Sequence, residues 1–229
     1  VKKHTSPELP GEGDTDYARY MRLDTLLSLQ RHPDDMVHRD ELLFQVVHQS
    51  SELWLKLAVA EIDEAAVLVG KDDLPGAELL LGRASLAIRL VTDQLDMFRY
   101  LKPADFEAMK PALGNGSGAE SPGWRDAQKA SRRLGLAFQA HLREREIDPA
   151  TLYPGVATDS AYRLAEAMIE WDEQVALWRV RHYTIAIRIG GHGMIGTPNS
   201  PADWLAKLID YRFFPELWQL RVLGGHAGA

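Results

Sequence analysis

The stretch DELLFQVVHQSSELWLKLAVAEIDEAAVLVG, Asp40 to Gly70, carries apolar residues at helical spacing along most of its length. Phe44, His48, Ser51 and Leu55 fall on one helical face, with Val47, Trp54 and Leu57 beside them. The spacing predicts a long helix that begins near Pro33 or Asp40, runs to Val69 and stops at Gly70. Outward from it the same period recurs. Tyr17 to Leu29 is a shorter amphipathic stretch that ends at His32-Pro33. A helix from about Pro75 to Tyr100 places Ile88, Val91, Leu95 and Phe98 on one face, with Lys102-Pro103 as its stop. Helical text returns from Trp124 to about Arg145, from about Asp159 to Ile189 and from about Ala202 to Asp210. Two glycine-rich segments, Lys110 to Gly123 and Gly190 to Pro201, read as loops of the kind that close over ligands. Strand alternation is nowhere convincing. The reading is one all-α domain, a helical bundle over 17–229, preceded by a flexible segment 1–16 rich in Pro, Gly and charge.

Composition narrows the chemistry. The 229 residues are 45% hydrophobic and contain no cysteine, so thiolate nucleophiles, Cys-held zinc, iron–sulfur clusters and thiolate-ligated haem are excluded. Any metal must rest on His or carboxylate. A formal net charge of -7 argues against a sequence-independent nucleic-acid binder. No apolar run reaches the ~18 residues of a membrane span, and no signal-peptide stretch follows Val1 to Pro7, so a soluble cytoplasmic protein acting on small molecules is expected.

Two histidines stand out. Val175, Trp178, His182, Ile185 and Ile189 step by three and four, which sets His182 in an apolar stripe flanked by Arg179, Arg181 and Arg188. It is either a core histidine bonded to a carbonyl or an axial haem ligand, the arginines then being available for the propionates. His48 likewise points into apolar surroundings, and with Glu52 four residues on it could chelate a metal. A carboxylate-bridged di-iron bundle fails, because the residues three before His48 and His182 are Gln45 and Arg179. The other histidines, His141 among them, read as surface groups, and the six tryptophans as core and interface filler. No phosphate-binding P-loop and no GxSxG elbow occurs.

The residues around these histidines resemble a known family. Asp40 to Lys56 is similar to the DExLFxxxHQxxELWxK signature of the tryptophan 2,3-dioxygenases. Tyr17 to Asp24 resembles that family's YxxYLxLD segment, Trp178 to His182 its WRxRH motif and Phe213 to Leu217 its FFPEL motif. The resemblance implies a helical bundle enclosing haem b (iron protoporphyrin IX), with O2 as co-substrate. It makes His182 the axial iron ligand, His48 the distal base that receives the indole N–H, and Phe44 a residue packed on the indole. It implies that Tyr17, Tyr20 and Met21 reach a neighbouring subunit's pocket in a homotetramer. It places Ser117 beside the haem and Thr197 at the substrate's ammonium and carboxylate.

Departures from the family pattern fall at the substrate clamp. Phe106 and Lys110 stand where the family has a tyrosine and a carboxylate-clamping arginine; lysine keeps the charge but loses the planar fork. Gly196 to Ser200 replaces GTGGSSG, Gly191-His192-Gly193 replaces bulkier residues, and the region from about His141 to Ser160 is much shorter than in typical members. The expected activity is oxygen insertion into the indole ring of L-tryptophan or a close derivative, giving N-formylkynurenine. The alternatives are a monooxygenase of a modified tryptophan giving a 2-oxindole in secondary metabolism, a haem-binding sensor without turnover, and an interaction module with no cofactor.

Overall fold

The computed structural model describes residues 9–114, 116, 118–153, 158–191 and 203–226. Asp16–Met21 (α1) and Leu23–Leu26 (α2) come first; α1 is capped by the Thr15 hydroxyl, which accepts the Ala18 N–H at 3.1 Å, and neither helix buries a residue. The long predicted helix is Glu41–Gly70 (α3), and it takes in Gly70 rather than stopping before it. The chain reverses at Asp72, φ 67°, and the Asp73 side chain then caps Leu74–Asp93 (α4) by accepting the Gly76 N–H at 3.0 Å.

Beyond Asp93 the predicted helix tightens into 3-10 turns over Gln94–Tyr100. Gln94 supplies a cause: it accepts from Ser50 at 2.6 Å and donates to Ser51 at 2.8 Å, tying the chain to α3. Pro103–Leu113 (α5) is a helix the periodicity did not reveal, so Lys110 to Leu113 are helical and not loop. Pro122–Glu144 (α6) and Ser160–Gly190 (α7) follow as expected, capped by Ser121 and Asp159. Asp203–Lys207 (α8) is shorter than expected, and Pro215–His226 (α9) was unforeseen, although proline at a first helical turn is a start signal rather than a stop. No strand occurs among the described residues.

α3, α4, α6 and α7 form a bundle around Leu55, Ile62, Leu81, Ile88, Leu134, Phe138, Met168 and Trp171, all buried. Each such side chain contributes about 1.5–3 kcal/mol on leaving water. Alanines 58, 65, 84, 130 and 165 lie in the same core and let the helices approach closely. α3 and α6 approach closely at Gly123, where an added Cβ would stand 2.7 Å from the Leu55 Cβ. A second cluster of Val47, Leu95, Phe98, Leu101, Phe106, Met109, Ile185 and Ile189 joins the start of α3, the 3-10 segment, α5 and the end of α7. Trp178 packs against both clusters.

His141 corrects its sequence reading. It is 7% exposed, and its Nδ1 lies 3.7 Å from Asp72 at the α3–α4 turn. Among the described residues, no helix is long and apolar enough to cross a membrane.

Candidate functional site

The second cluster brings Phe44, His48 and Phe106 together. The rings of Phe44 and His48 stack at 4.2 Å between centroids, as residues four apart on one helix face do. Phe98 stands 5.7 Å from Phe44 and 5.9 Å from His48, and Phe106 of α5 stands 6.2 Å from Phe44. His48 Nδ1–H donates to the Phe44 carbonyl at 2.8 Å, which leaves Nε2 as a lone-pair acceptor. The imidazole is open to solvent at its edge but set deep in protein mass, and the surrounding mass governs its charge. Burial pulls its pKa below the usual histidine value, while the Phe44 carbonyl and the Glu52 charge pull the other way.

Glu52 is no chelator. One carboxylate oxygen accepts from the Ser121 hydroxyl, and the other accepts the Gly123 N–H at 2.9 Å. It clamps the N-terminus of α6 onto α3, where a carboxylate suits the helix dipole.

The second histidine sits on α7, which is long enough to traverse both clusters. The rings of Trp178 and His182 stack at 5.0 Å, and Trp124 of α6 lies 4.1 Å from Trp178. Both tryptophans pack on the bundle core, as read from the sequence, and also stand beside His182. Desolvation pushes the His182 pKa down to about 4, and His48 is near enough for its charge to add to the effect. His182 is thus a neutral imidazole at neutral pH. A cavity of about 250 Å³ opens beside it, lined by Trp124, Trp178, Arg179, Leu208, Tyr211 and Phe213 among others.

The arginines divide differently from the sequence expectation. Arg179 donates to the Tyr211 carbonyl at 2.6 Å and lies over the rings of Tyr211 and Phe213. Arg181 pairs with Asp96 and holds that carboxylate low. Both are committed to protein contacts, while Arg188 is exposed near the end of α7. The FFPEL segment is anchored by buried Asp172 of α7, which accepts the N–H groups of Phe213 at 2.7 Å and Phe214 at 3.0 Å and the Trp218 indole N–H at 3.1 Å. Burial raises the Asp172 pKa against the pull of those three donors.

Phe106 therefore joins the His48 wall. Lys110, one turn further along α5, lies 5.6 Å above the Phe106 ring and pairs with Glu107 at 2.6 Å. Tyr17, Tyr20 and Met21 on α1 are 66%, 70% and 47% exposed. Ser117 and Thr197 lie outside the described residues.

The residues present fit a haem. His182 offers a neutral imidazole whose ring nitrogens meet no hydrogen-bond partner among the described residues, and Trp124 and Trp178 offer an aromatic wall. The Trp178 indole N–H is buried without an acceptor, a cost of about 1–3 kcal/mol that a carboxylate-bearing group would relieve.

Bundle and site together define an all-α protein with two neutral-leaning histidines, His48 and His182, beside an aromatic recess. A family model described as tryptophan 2,3-dioxygenase matches residues 3–135, which contain Phe44, His48, Phe106 and Lys110. A tryptophan 2,3-dioxygenase of Bacillus anthracis is 30% identical over 90% of this chain and 91% of its own length. Those of Paraburkholderia phytofirmans and Myxococcus xanthus are 29% and 28% identical over 90% and 91% of this chain, and 84% and 89% of their own lengths. The chain belongs to the tryptophan 2,3-dioxygenase family, a family of oxygenases. The alignment with the Bacillus protein runs over 256 positions against 229 residues here, so that relative carries insertions this chain lacks.

Proposed function

We propose that the protein is a haem-dependent oxygenase that inserts O2-derived oxygen into the indole ring of L-tryptophan or a close derivative, opening the ring to N-formylkynurenine. The observation that carries this reading is the neutral His48, whose Nδ1–H is held by the Phe44 carbonyl so that Nε2 is the free acceptor. His182 would hold the iron, and the Trp178 N–H would meet a propionate. Bound haem supplies the redox-active iron at which O2 is activated. The chain's own residues do the rest. His48 Nε2 accepts the indole N–H, which fixes the ring and enriches its C2–C3 bond in electrons. Phe44, Phe98 and Phe106 confine the ring and exclude water.

The exposed face of α1 suits the homotetramer in which Tyr17, Tyr20 and Met21 complete a neighbour's pocket, and a cytoplasmic location suits the reading. Ser117 and Thr197 keep the substrate-side roles that the resemblance implies.

The second reading, insertion of one O2-derived oxygen into a modified tryptophan to give a 2-oxindole while an external two-electron reductant takes the other oxygen to water, is favoured by the altered clamp, where Lys110 is paired with Glu107. Turnover of L-tryptophan under 18O2 with product mass analysis separates the two. The proposal expects a ring-opened product with two labelled oxygens; a product with one overturns it in favour of the second reading.

A further inference from the structure

The seven residues Gln94–Tyr100 form a 3-10 helix that continues α4 without a break, longer than such runs usually are. Nothing local imposes it: the segment QLDMFRY holds no proline or glycine, and Gln, Leu, Met and Arg favour an α-helix. The cause is tertiary. Gln94 Oε1 accepts from the Ser50 hydroxyl at 2.6 Å, and its Nε2–H donates to the Ser51 hydroxyl at 2.8 Å. Ser51 in turn donates to the carbonyl of Val47, the residue before His48, at 2.7 Å. Two residues beyond Gln94, Asp96 pairs with Arg181 of α7, so the segment is tied to both histidine-bearing helices. Phe98, which this segment carries, is 5% exposed and stands 5.7 Å from the Phe44 ring and 5.9 Å from His48.

From this geometry we infer that Gln94 is a positioning residue: its bridge to Ser50 and Ser51 holds the chain in 3-10 form and so sets Phe98 as the wall that seats the indole against His48. This rests on the indole-oxygenase reading and adds a residue to it that touches neither substrate nor haem. The helix geometry gives the reason. In a 3-10 helix Phe98 lies about 8 Å along the axis from Gln94 and about 120° around it. In a continued α-helix the same four steps would cover about 6 Å and about 40°. Release of Gln94 therefore lets Phe98 move by about 2 Å and turn by about 80° away from its place beside His48. An amide suits the bridge because it accepts from one serine and donates to the other, which leaves the Ser51 proton for the Val47 carbonyl. The Asp96–Arg181 pair is partly exposed and holds weakly by itself, so the bridge to α3 governs the segment.

The test is a double-mutant cycle on L-tryptophan affinity, read by calorimetric titration of the haem-loaded enzyme as wild type, Gln94→Leu, Phe98→Leu and the double variant. Each single change is expected to weaken binding several-fold. The double variant is expected to bind within about twofold of Phe98→Leu alone, because Gln94 acts through Phe98. Losses that multiply in the double variant make Gln94 a support of the fold only and overturn the inference, while the oxygenase reading stands. A Gln94→Leu variant that binds L-tryptophan as wild type does overturns it equally. Ser51→Ala removes the hydroxyl at the other end of the bridge and takes the place of Gln94→Leu in the cycle if that variant does not fold; the same non-additivity is expected. If wild type binds no L-tryptophan, both the inference and the oxygenase reading fall.

Discussion

The hydrogen bond from His48 Nδ1 to the carbonyl of its own helix decides what this residue can do, because it leaves Nε2 as an acceptor for as long as the ring is neutral. Burial lowers the His48 pKa, so the neutral form persists below the usual 6.5. Protonation turns Nε2 into a donor, so L-tryptophan affinity is expected to hold as pH falls through 6.5 and to decline only at lower pH. Calorimetric titration across pH 5–8 checks this; a decline already centred above 6.5 contradicts it. Replacing His48 by Ala is expected to cost roughly two- to tenfold in affinity, since one neutral hydrogen bond is worth about 0.5–1.5 kcal/mol. At this scale much was legible: the three- and four-residue steps place His48 and His182 on apolar faces, and the motif text gives them roles. What spacing could not give was the partner across space. Glu52 reads as a chelator on its own helix but meets α6, and Phe98 and Trp124 belong to the site only through tertiary contact.

α3 and α6 meet where Gly123 lies against Leu55 and Glu52. A Cβ there would stand 2.7 Å from the Leu55 Cβ and 2.7 Å from the Glu52 carboxylate, so Gly123→Ala must push the helices apart. The expected loss is about 1–3 kcal/mol, read as a melting temperature lower by roughly 2–12 °C for a chain of this size. An unchanged melting curve contradicts the close approach. Helices with long apolar periods were legible as elements. α5 was hidden because its eleven residues include two prolines and a short apolar face, and the 3-10 segment because its cause is Gln94 reaching back to Ser50 and Ser51. α9 drew no reading from periodicity; Pro215 begins it after Asp172 has collected the N–H groups of Phe213 and Phe214.

Across the whole molecule, one bundle core holds α3, α4, α6 and α7 in place, and the ends of α3 and α7 extend from it into the second cluster with α5. Trp178 joins the two cores and stacks on His182, so the geometry at the histidine depends on the packing of the bundle. The all-α architecture was readable from periodicity; that two separate cores meet at Trp178 was not, since its step along α7 says nothing about α6. The assignment of His182 to haem is tested by the optical spectrum of the purified protein reconstituted with haem, beside that of His182→Ala. One haem per chain is expected, with a Soret band that shifts on adding L-tryptophan and is lost from the variant. A wild-type protein that binds no haem, or a His182→Ala variant that retains the native band, contradicts it.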